Sequence, residues 1–176
     1  MLSIDAEAVD LSKEKPLILK ALKDALRKVI LMRQAEGSNL QKDIVKRMKS
    51  LRQLANAIKQ RSKITPKEKA KKLKDRLKEL LGSGNLNEQQ ISQEIAIMAD
   101  RIDITEELVR LESHLKQFES TLGQFPQGRK LDFVLQELFR EWNTIGSKAQ
   151  DSQIQKVVVE AKVELERLRE QVQNVE

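Results

Sequence analysis

Acidic residues and the chain's one histidine recur at helical spacing near the middle of the sequence. Asp103, Glu107, Arg110 and His114 are separated by steps of four, three and four positions. Such steps place side chains along one edge of a helix. Glu106 lies one position from the same edge. Carboxylates with one imidazole suit Mn²⁺ or Mg²⁺ better than a structural zinc site. A cation held in this way can activate water and stabilise the phosphate during in-line cleavage of a phosphodiester.

The same residues also fit a purely structural role. Asp103 and Glu106 can cap the start of a helix and complement its dipole. Glu107 and Arg110 can form a surface ion pair worth roughly 0–1 kcal/mol. Because Glu and Arg are common on helices, the spacing taken alone favours the structural explanation.

Two rows of polar residues flank an apolar stripe in the stretch GRKLDFVLQELFREWNTIGSKAQD, residues 128–151. The stripe has the steps of three and four that indicate a buried helix face: Leu131, Leu135, Leu138, Trp142 and Ile145. One row holds Arg129, Gln136, Arg140, Asn143 and Ser147, and the other holds Lys130, Glu137, Glu141, Thr144 and Lys148. Two glutamates one turn apart repel each other slightly. The second row therefore indicates a bound cation or a basic partner, with a plain solvated face as the alternative.

Positive charge is concentrated in one part of the chain. The formal net charge is +6, yet residues 46–79 hold fourteen Lys or Arg against three acids, which is +11. A local excess of this kind is typical of surfaces that attract phosphates. The solvated face of an exposed helix would look the same, and charge alone does not decide between the two.

Several chemistries are excluded by the residues that the chain lacks. Without cysteine and with one histidine there is no thiolate metal site, disulfide framework or nucleophilic triad. The segment from Gly82 to Asn85 lacks the Lys-Ser/Thr of a phosphate-binding loop. Aromatic residues make up only 3% of the chain, which makes a base-stacking platform implausible. Any nucleic acid would be held mostly through its phosphates.

The periodicity predicts an all-α fold of long antiparallel helices, a helical bundle whose last helix resembles a coiled-coil strand. Helices are expected from Pro16 with an interruption near Gly37, from Thr65 as an N-cap, and from Glu88 with a phase slip at Asp103. The last helix has an unbroken apolar seam of Ile154, Val158, Ala161, Leu165, Leu168, Val172 and Val175. We expect an arm at residues 1–15, a long helix plus a basic helical hairpin at 16–82, and a helical domain at 83–176.

A cytoplasmic location is expected. The first fifteen residues carry acids in place of the basic start and apolar core of a signal peptide: Asp5, Glu7, Asp10 and Glu14. No apolar run approaches the roughly 18–20 residues needed to cross a bilayer. The absence of cysteine fits a reducing compartment.

The sequence resembles a known family in its second half. MADRIDITEELVRLESHLKQF (98–118), the stretch 128–151 and VVVEAKVELERLREQVQNVE (157–176) are similar to the C-terminal region of the bacterial YicC/YloC family. Upstream, RQAEGSNL (33–40) resembles that family's Arg-x-x-Glu-Gly segment, and QEIAIMAD (93–100) resembles the segment before its acidic motif. The resemblance covers nearly all of residues 17–176.

The resemblance implies an endoribonuclease that depends on a divalent metal, Mn²⁺ or Mg²⁺, and acts on single-stranded or small regulatory RNA. It implies ring-like homo-oligomers, with hexamers expected, and neither a membrane nor a small-molecule cofactor. It also implies that the charged rows are a functional surface. The resemblance does not say which carboxylates bind metal.

Within the matching regions, spacing leads to these assignments. The catalytic residues are Glu107 and His114, with Glu137 and Glu141 contributed from a neighbouring helix or subunit. The metal ligands are Asp103, Glu106, Glu107 and His114. The RNA-binding residues are Arg110, Arg129, Lys130, Arg140, Asn143 and Lys148.

The chain departs from the family pattern in two respects. Phe139 and Trp142 stand where members usually have Asn and a small residue, and the strand-rich N-terminal domain of members has no counterpart. The predicted function is therefore a metal-dependent endoribonuclease or the RNA-holding C-terminal part of one. The alternative is a non-catalytic RNA-binding or adaptor module that oligomerises through its helices.

Overall fold

The fold is known from a computed structural model that describes residues 11–81, 88–124 and 127–173. Within these ranges the chain forms six α-helices and no β-strand, which confirms the predicted all-α class. The helices are α1 (Leu11–Ser62), α2 (Thr65–Leu81), α3 (Glu88–Arg101), α4 (Thr105–Thr121), α5 (Gly128–Lys148) and α6 (Ser152–Gln173). No helix in this part of the chain is long and apolar enough to span a membrane.

The chain divides into two units between Lys42 and Asp43. In the first unit, the N-terminal part of α1 exposes its large apolar side chains, among them Leu17, Ile18, Leu22, Leu26, Ile30 and Met32. The helix begins at Leu11, so the predicted start at Pro16 is wrong by five residues, and the rest of the predicted arm lies outside the described ranges. α1 also continues through Gly37, because one glycine costs a helix only about 1 kcal/mol.

The second unit has one hydrophobic core to which four helices contribute. The C-terminal part of α1 provides Ile44, Met48, Leu51 and Ile58, while α4 provides Leu111, Leu115 and Phe118. α5 buries the whole predicted stripe, including the single tryptophan, Trp142. α6 packs on α5 and buries its seam from Ile154 to Val172, whereas Val175 lies outside the described residues. Each such side chain stabilises the fold by roughly 1.5–3 kcal/mol.

A buried aspartate joins the end of α1 to the start of α6. Asp151 Oδ1 accepts hydrogen bonds from the backbone N–H groups of Gln153 and Ile154 at 2.8 and 3.1 Å. Its Oδ2 accepts from Arg61 Nε at 3.0 Å and lies 3.0 Å from the hydroxyl of Thr65. Burial disfavours the charged form, but these hydrogen bonds outweigh it and hold the pKa of Asp151 below its ordinary value. The sequence predicts Thr65 as an N-cap acceptor, yet this hydroxyl is a donor to Asp151 or to the Arg61 carbonyl.

The phase slip near Asp103 corresponds to a break between two helices. α3 ends at Arg101 and α4 begins at Thr105, while Ile102 and Ile104 are buried on either side of the break. The prediction that Asp103 shares a single helix with Glu107 and His114 is therefore wrong. The break lets Ile102 and Ile104 both enter the core. In a continuous helix these two side chains would point to different sides.

Candidate functional site

The helices α4 and α5 form an antiparallel pair that brings together side chains from the two polar regions. At one end, Lys148 Nζ in the last turn of α5 donates to Glu107 Oε1 in the first turn of α4 at 2.6 Å. One turn further along α4, Arg110 Nη1 lies 3.8 Å from Glu141 Oε1. We call Glu107, Arg110, Glu141 and Lys148, together with Glu106, the α4–α5 cluster.

Two carboxylates of the α4–α5 cluster are buried. Glu107 is 6% exposed and Glu141 is 4% exposed, although glutamate is rarely buried to this degree without a partner. Oε2 of Glu107 is buried and has no hydrogen-bond partner within the described part of the chain. A buried acceptor without a partner costs about 1–3 kcal/mol, so this oxygen is available to a ligand.

The cations of the cluster remain accessible to solvent. Lys148 is 41% exposed and Arg110 is 56% exposed at the side chain. The hydrogen bond with Glu107 raises the pKa of Lys148 despite some desolvation, and the charges of Glu106 and Asp103 add to the effect. Arg110 Nη2 also contacts Glu106 Oε1 at 2.5 Å on the same helix. Both cations can therefore reach an anion in solution while they remain beside the buried carboxylates.

His114 lies one turn beyond Arg110 on α4. The antiparallel arrangement that places Arg110 beside Glu141 puts His114 level with the preceding turn of α5, which carries Glu137. Nδ1 of His114 is buried and lacks a hydrogen-bond partner among the described residues. Glu137 is half-buried. His114 thus extends the row of ionisable groups along the α4–α5 seam.

The other predicted RNA-binding residues do not all join this cluster. Arg140 and Asn143 line a shallow groove of about 430 Å³ next to Arg169 of α6. Arg129 and Lys130 are exposed in the first turn of α5. The two polar rows of α5 lie roughly 100° apart around the helix, so the row with Glu141 and Lys148 meets α4 while the row with Arg140 does not.

The predicted metal ligands are not gathered into one group. Among the described residues, no three or more His, Asp or Glu side chains lie where they could share a metal ion. The Asp103 carboxylate accepts hydrogen bonds from the hydroxyl and the backbone N–H of Thr105, and these lower the pKa of Asp103. Asp103 thus has the structural role at a helix start that the sequence offers as the alternative, and metal binding by Asp103, Glu106, Glu107 and His114 stays a prediction.

Asp151 is the residue whose role sequence reasoning missed. An Asp directly before the first residues of an apolar-periodic helix is an N-cap signal, and Asp151 stands in that position before Ile154. The sequence therefore contains a signal for the N-cap role of Asp151. Its bonds to Arg61 and Thr65 depend on the packing of α1 beside α6 and carry no local signal.

The fold and the α4–α5 cluster define an all-α helical protein with buried carboxylates beside exposed cations. Comparison with known proteins shows which family this is. The family model described as "Endoribonuclease YicC-like, C-terminal" matches residues 58–176. The chain therefore belongs to the YicC-like family, as the resemblance predicts.

Two relatives extend the similarity over almost the whole chain. The "Probable endoribonuclease YicC" of Clostridioides difficile (strain 630) is 43% identical over 162 residues, covering 91% of this chain and 55% of the relative. The protein of the same name from Haemophilus influenzae (strain ATCC 51907 / DSM 11121 / KW20 / Rd) is 36% identical over 174 residues, covering 98% and 60%. The chain thus spans little more than half the length of these relatives.

Proposed function

We propose that this chain cleaves phosphodiester bonds of RNA with the help of a divalent cation, and that the α4–α5 cluster is the site. The observation that carries the proposal is the pairing of Lys148 with buried Glu107 across two helices. Membership of a family whose relatives are named probable endoribonucleases supports the same reaction.

The chemistry of the cluster suits an anionic substrate. Arg110 and Lys148 would bind the phosphate, because both are cations with accessible donors. The free oxygen of Glu107 would accept a proton from the attacking hydroxyl or water, and His114 would donate one to the leaving oxygen. Glu137 and Glu141 would hold Arg110 and His114 in position along the seam.

A divalent cation would complete the site together with the substrate. Mg²⁺ is commonly held by one or two carboxylates plus substrate phosphates, in place of a cage made only of protein ligands. The residues that would hold Mn²⁺ or Mg²⁺ here are Glu106 and Glu141, the two carboxylates beside Arg110, which leaves the free oxygen of Glu107 to act as the base. The cation would supply Lewis-acid polarisation of the phosphate.

The proposed substrate is single-stranded RNA, including small regulatory RNA of the cytoplasm. The chain has four Phe, one Trp and no Tyr, and Trp142 is fully buried. Recognition would therefore depend on phosphates and not on stacked bases. We also propose that the chain assembles into a ring-like homo-oligomer, with six subunits expected, and light scattering would measure the subunit number.

Cleavage of a labelled single-stranded RNA oligonucleotide tests the reaction. With Mn²⁺ the chain should cut the RNA, and EDTA should abolish cutting. Glu107→Gln and His114→Ala should each lower the cleavage rate by about 10²–10⁴-fold, the usual contribution of a general acid or base. Glu160→Gln, an exposed glutamate of α6, is the matched control and should retain the wild-type rate.

The outcomes separate the reaction from its site. No cutting by the wild-type chain in Mn²⁺ would contradict the nuclease proposal for this chain. Unchanged cutting by both Glu107→Gln and His114→Ala would reject the α4–α5 cluster as the site.

A second candidate function is RNA holding without cleavage. It is favoured by α2, where several lysines are exposed: Lys67, Lys71, Lys72, Lys74 and Lys78. This function predicts salt-dependent RNA binding with the RNA intact after incubation with Mn²⁺.

A further inference from the structure

A second charged surface lies on the other side of α4. A groove of about 880 Å³ runs between the last three turns of α1 and the body of α4. Its basic lining comes from Arg52 and Lys59 of α1, from Lys63 directly after the end of α1, and from Lys116 of α4. We call it the α1–α4 groove.

Two of the four cations in the groove have no anionic partner in the part of the chain that the structure describes. Arg52 lies 2.9 Å from Glu119 and 3.6 Å from Glu112, and Lys116 lies 3.7 Å from Glu112. The ammonium groups of Lys59 and Lys63 are exposed and form no ion pair with any described residue. Lys59 stands in the last turn of α1 and Lys63 directly after it, and both line the groove, so the groove presents an uncompensated strip of positive charge.

The rest of the lining fits a phosphate backbone better than a protein. Side chains with hydroxyl or amide groups also line the groove: Asn56, Ser62, Thr105 and Ser113. The groove has no aromatic side chain, and Leu108 and Val109 are its main apolar residues. Protein interfaces depend on well-packed aromatic and apolar anchors at their centre. A positively charged groove that follows the strand is the usual feature of sequence-independent single-strand binding.

The groove and the α4–α5 cluster share one helix. At about 100° per residue, Leu108, Glu112 and Lys116 occupy the side of α4 turned towards α1. Glu107, Arg110 and His114 occupy the side turned towards α5. The exposed edge of α4 separates the two surfaces, so one strand that crosses this edge can contact both.

We infer that the α1–α4 groove binds the phosphate backbone of single-stranded RNA and holds it beside the α4–α5 cluster. This inference rests on the proposed function, because it takes RNA as the ligand, but it does not require that the RNA is cut. Lys59 and Lys63 are the phosphate contacts, and Glu112 limits the affinity by neutralising Arg52 and Lys116.

The test is binding of a fluorescent 20-nucleotide oligouridylate to the whole chain in EDTA, measured by anisotropy at several salt concentrations. The double variant Lys59→Ala/Lys63→Ala should weaken binding by about tenfold at 0.1 M salt and lower the salt slope by about 1.4, since each single-strand phosphate contact contributes about 0.7. The matched control is Lys46→Ala/Lys156→Ala, which removes two exposed lysines outside the groove and should bind like wild type. Glu112→Gln should bind more tightly than wild type.

Three results would overturn the inference. The first is equal loss of affinity in the groove variant and its control, which would mean that only net charge matters. The second is unchanged RNA binding in Lys59→Ala/Lys63→Ala. The third is a loss of binding to fluorescent poly-glutamate without any loss for RNA, which would assign the groove to an acidic protein.

Failure of the nuclease proposal has a different signature. In that case RNA stays intact in Mn²⁺, while the groove variant still binds it more weakly than the control. Conversely, cutting that depends on Glu107 together with unchanged binding in the groove variant would reject the groove alone.

Discussion

Lys148 and Glu107, 41 positions apart in the sequence, are joined by a hydrogen bond of 2.6 Å that links the end of α5 to the start of α4. Glu107 is buried and its second oxygen has no partner in the described part of the chain. The bond therefore fixes a buried anion next to an accessible cation, which is the feature on which the proposed RNA site depends.

A double-mutant cycle measures this pair. Glu107→Gln, Lys148→Met and the double variant should reveal a coupling free energy of roughly 1 kcal/mol, kept small because water screens the half-exposed lysine. Lys148→Met should destabilise more than Glu107→Gln, since it leaves a charge buried without its partner. Urea unfolding followed by the fluorescence of the buried Trp142 gives the free energies. The same cycle on exposed Arg110 and Glu106 should yield a coupling free energy of less than about 0.5 kcal/mol. Equal coupling free energies in the two cycles would show that burial of Glu107 does not strengthen its pair with Lys148.

Removal of the Asp151 carboxylate should destabilise the second unit. Asp151→Ala removes an N-cap of α6 and the acceptor for Arg61 and Thr65, so the free energy of unfolding should fall by about 2 kcal/mol. Asp75→Ala, at an exposed position of α2, should change it by no more than about 0.5 kcal/mol. Equal effects of the two substitutions in urea unfolding would show that the α1–α6 junction contributes nothing.

Acid should weaken the same junction. Because the pKa of Asp151 is lowered in the folded chain, its charged form stabilises the fold fully above the ordinary pKa of about 3.9. That contribution is lost as the pH falls from there through the lowered folded pKa. The stability difference between wild type and Asp151→Asn should therefore be constant from pH 7 to 5 and shrink below pH 4. A difference that grows on acidification would have the wrong sign.

Val158 of α6 limits the size of the side chain that can stand at Gly146 of α5. A Cβ at Gly146 would lie 3.2 Å from Cγ1 of Val158, which is buried. Overpacking of about 1–3 kcal/mol should outweigh the helix-propensity gain of about 1 kcal/mol, so Gly146→Ala should slightly destabilise the wild-type chain. In a Val158→Ala background the same change should stabilise by about 1 kcal/mol. Thermal unfolding of wild type, the two single variants and the double variant measures both effects. If Gly146→Ala changes the stability in the same direction in both backgrounds, Val158 does not limit the side chain at this position.

The sequence by itself determined the helices and the family. The buried faces of α5 and α6 follow from steps of three and four, and the phase slip near Asp103 marks the break before α4. These features depend on neighbours within a few turns of one helix, which is why a linear pattern contains them. The start of α1 was misplaced because Pro16 is a local signal that the continuing helix overrides.

The tertiary structure alone decided which polar side chains meet. Glu107 meets Lys148, and Arg110 meets Glu141, only because α4 and α5 pack antiparallel in one register. Arg140 is as basic as Arg110 and was predicted for the same role, yet it lies on the row of α5 that faces away from α4. The α1–α4 groove has the same origin, since its lining comes from two distant parts of the sequence, residues 52–63 and 105–116. A side chain's spacing fixes its direction around its own helix, whereas its partner depends on how the helices pack.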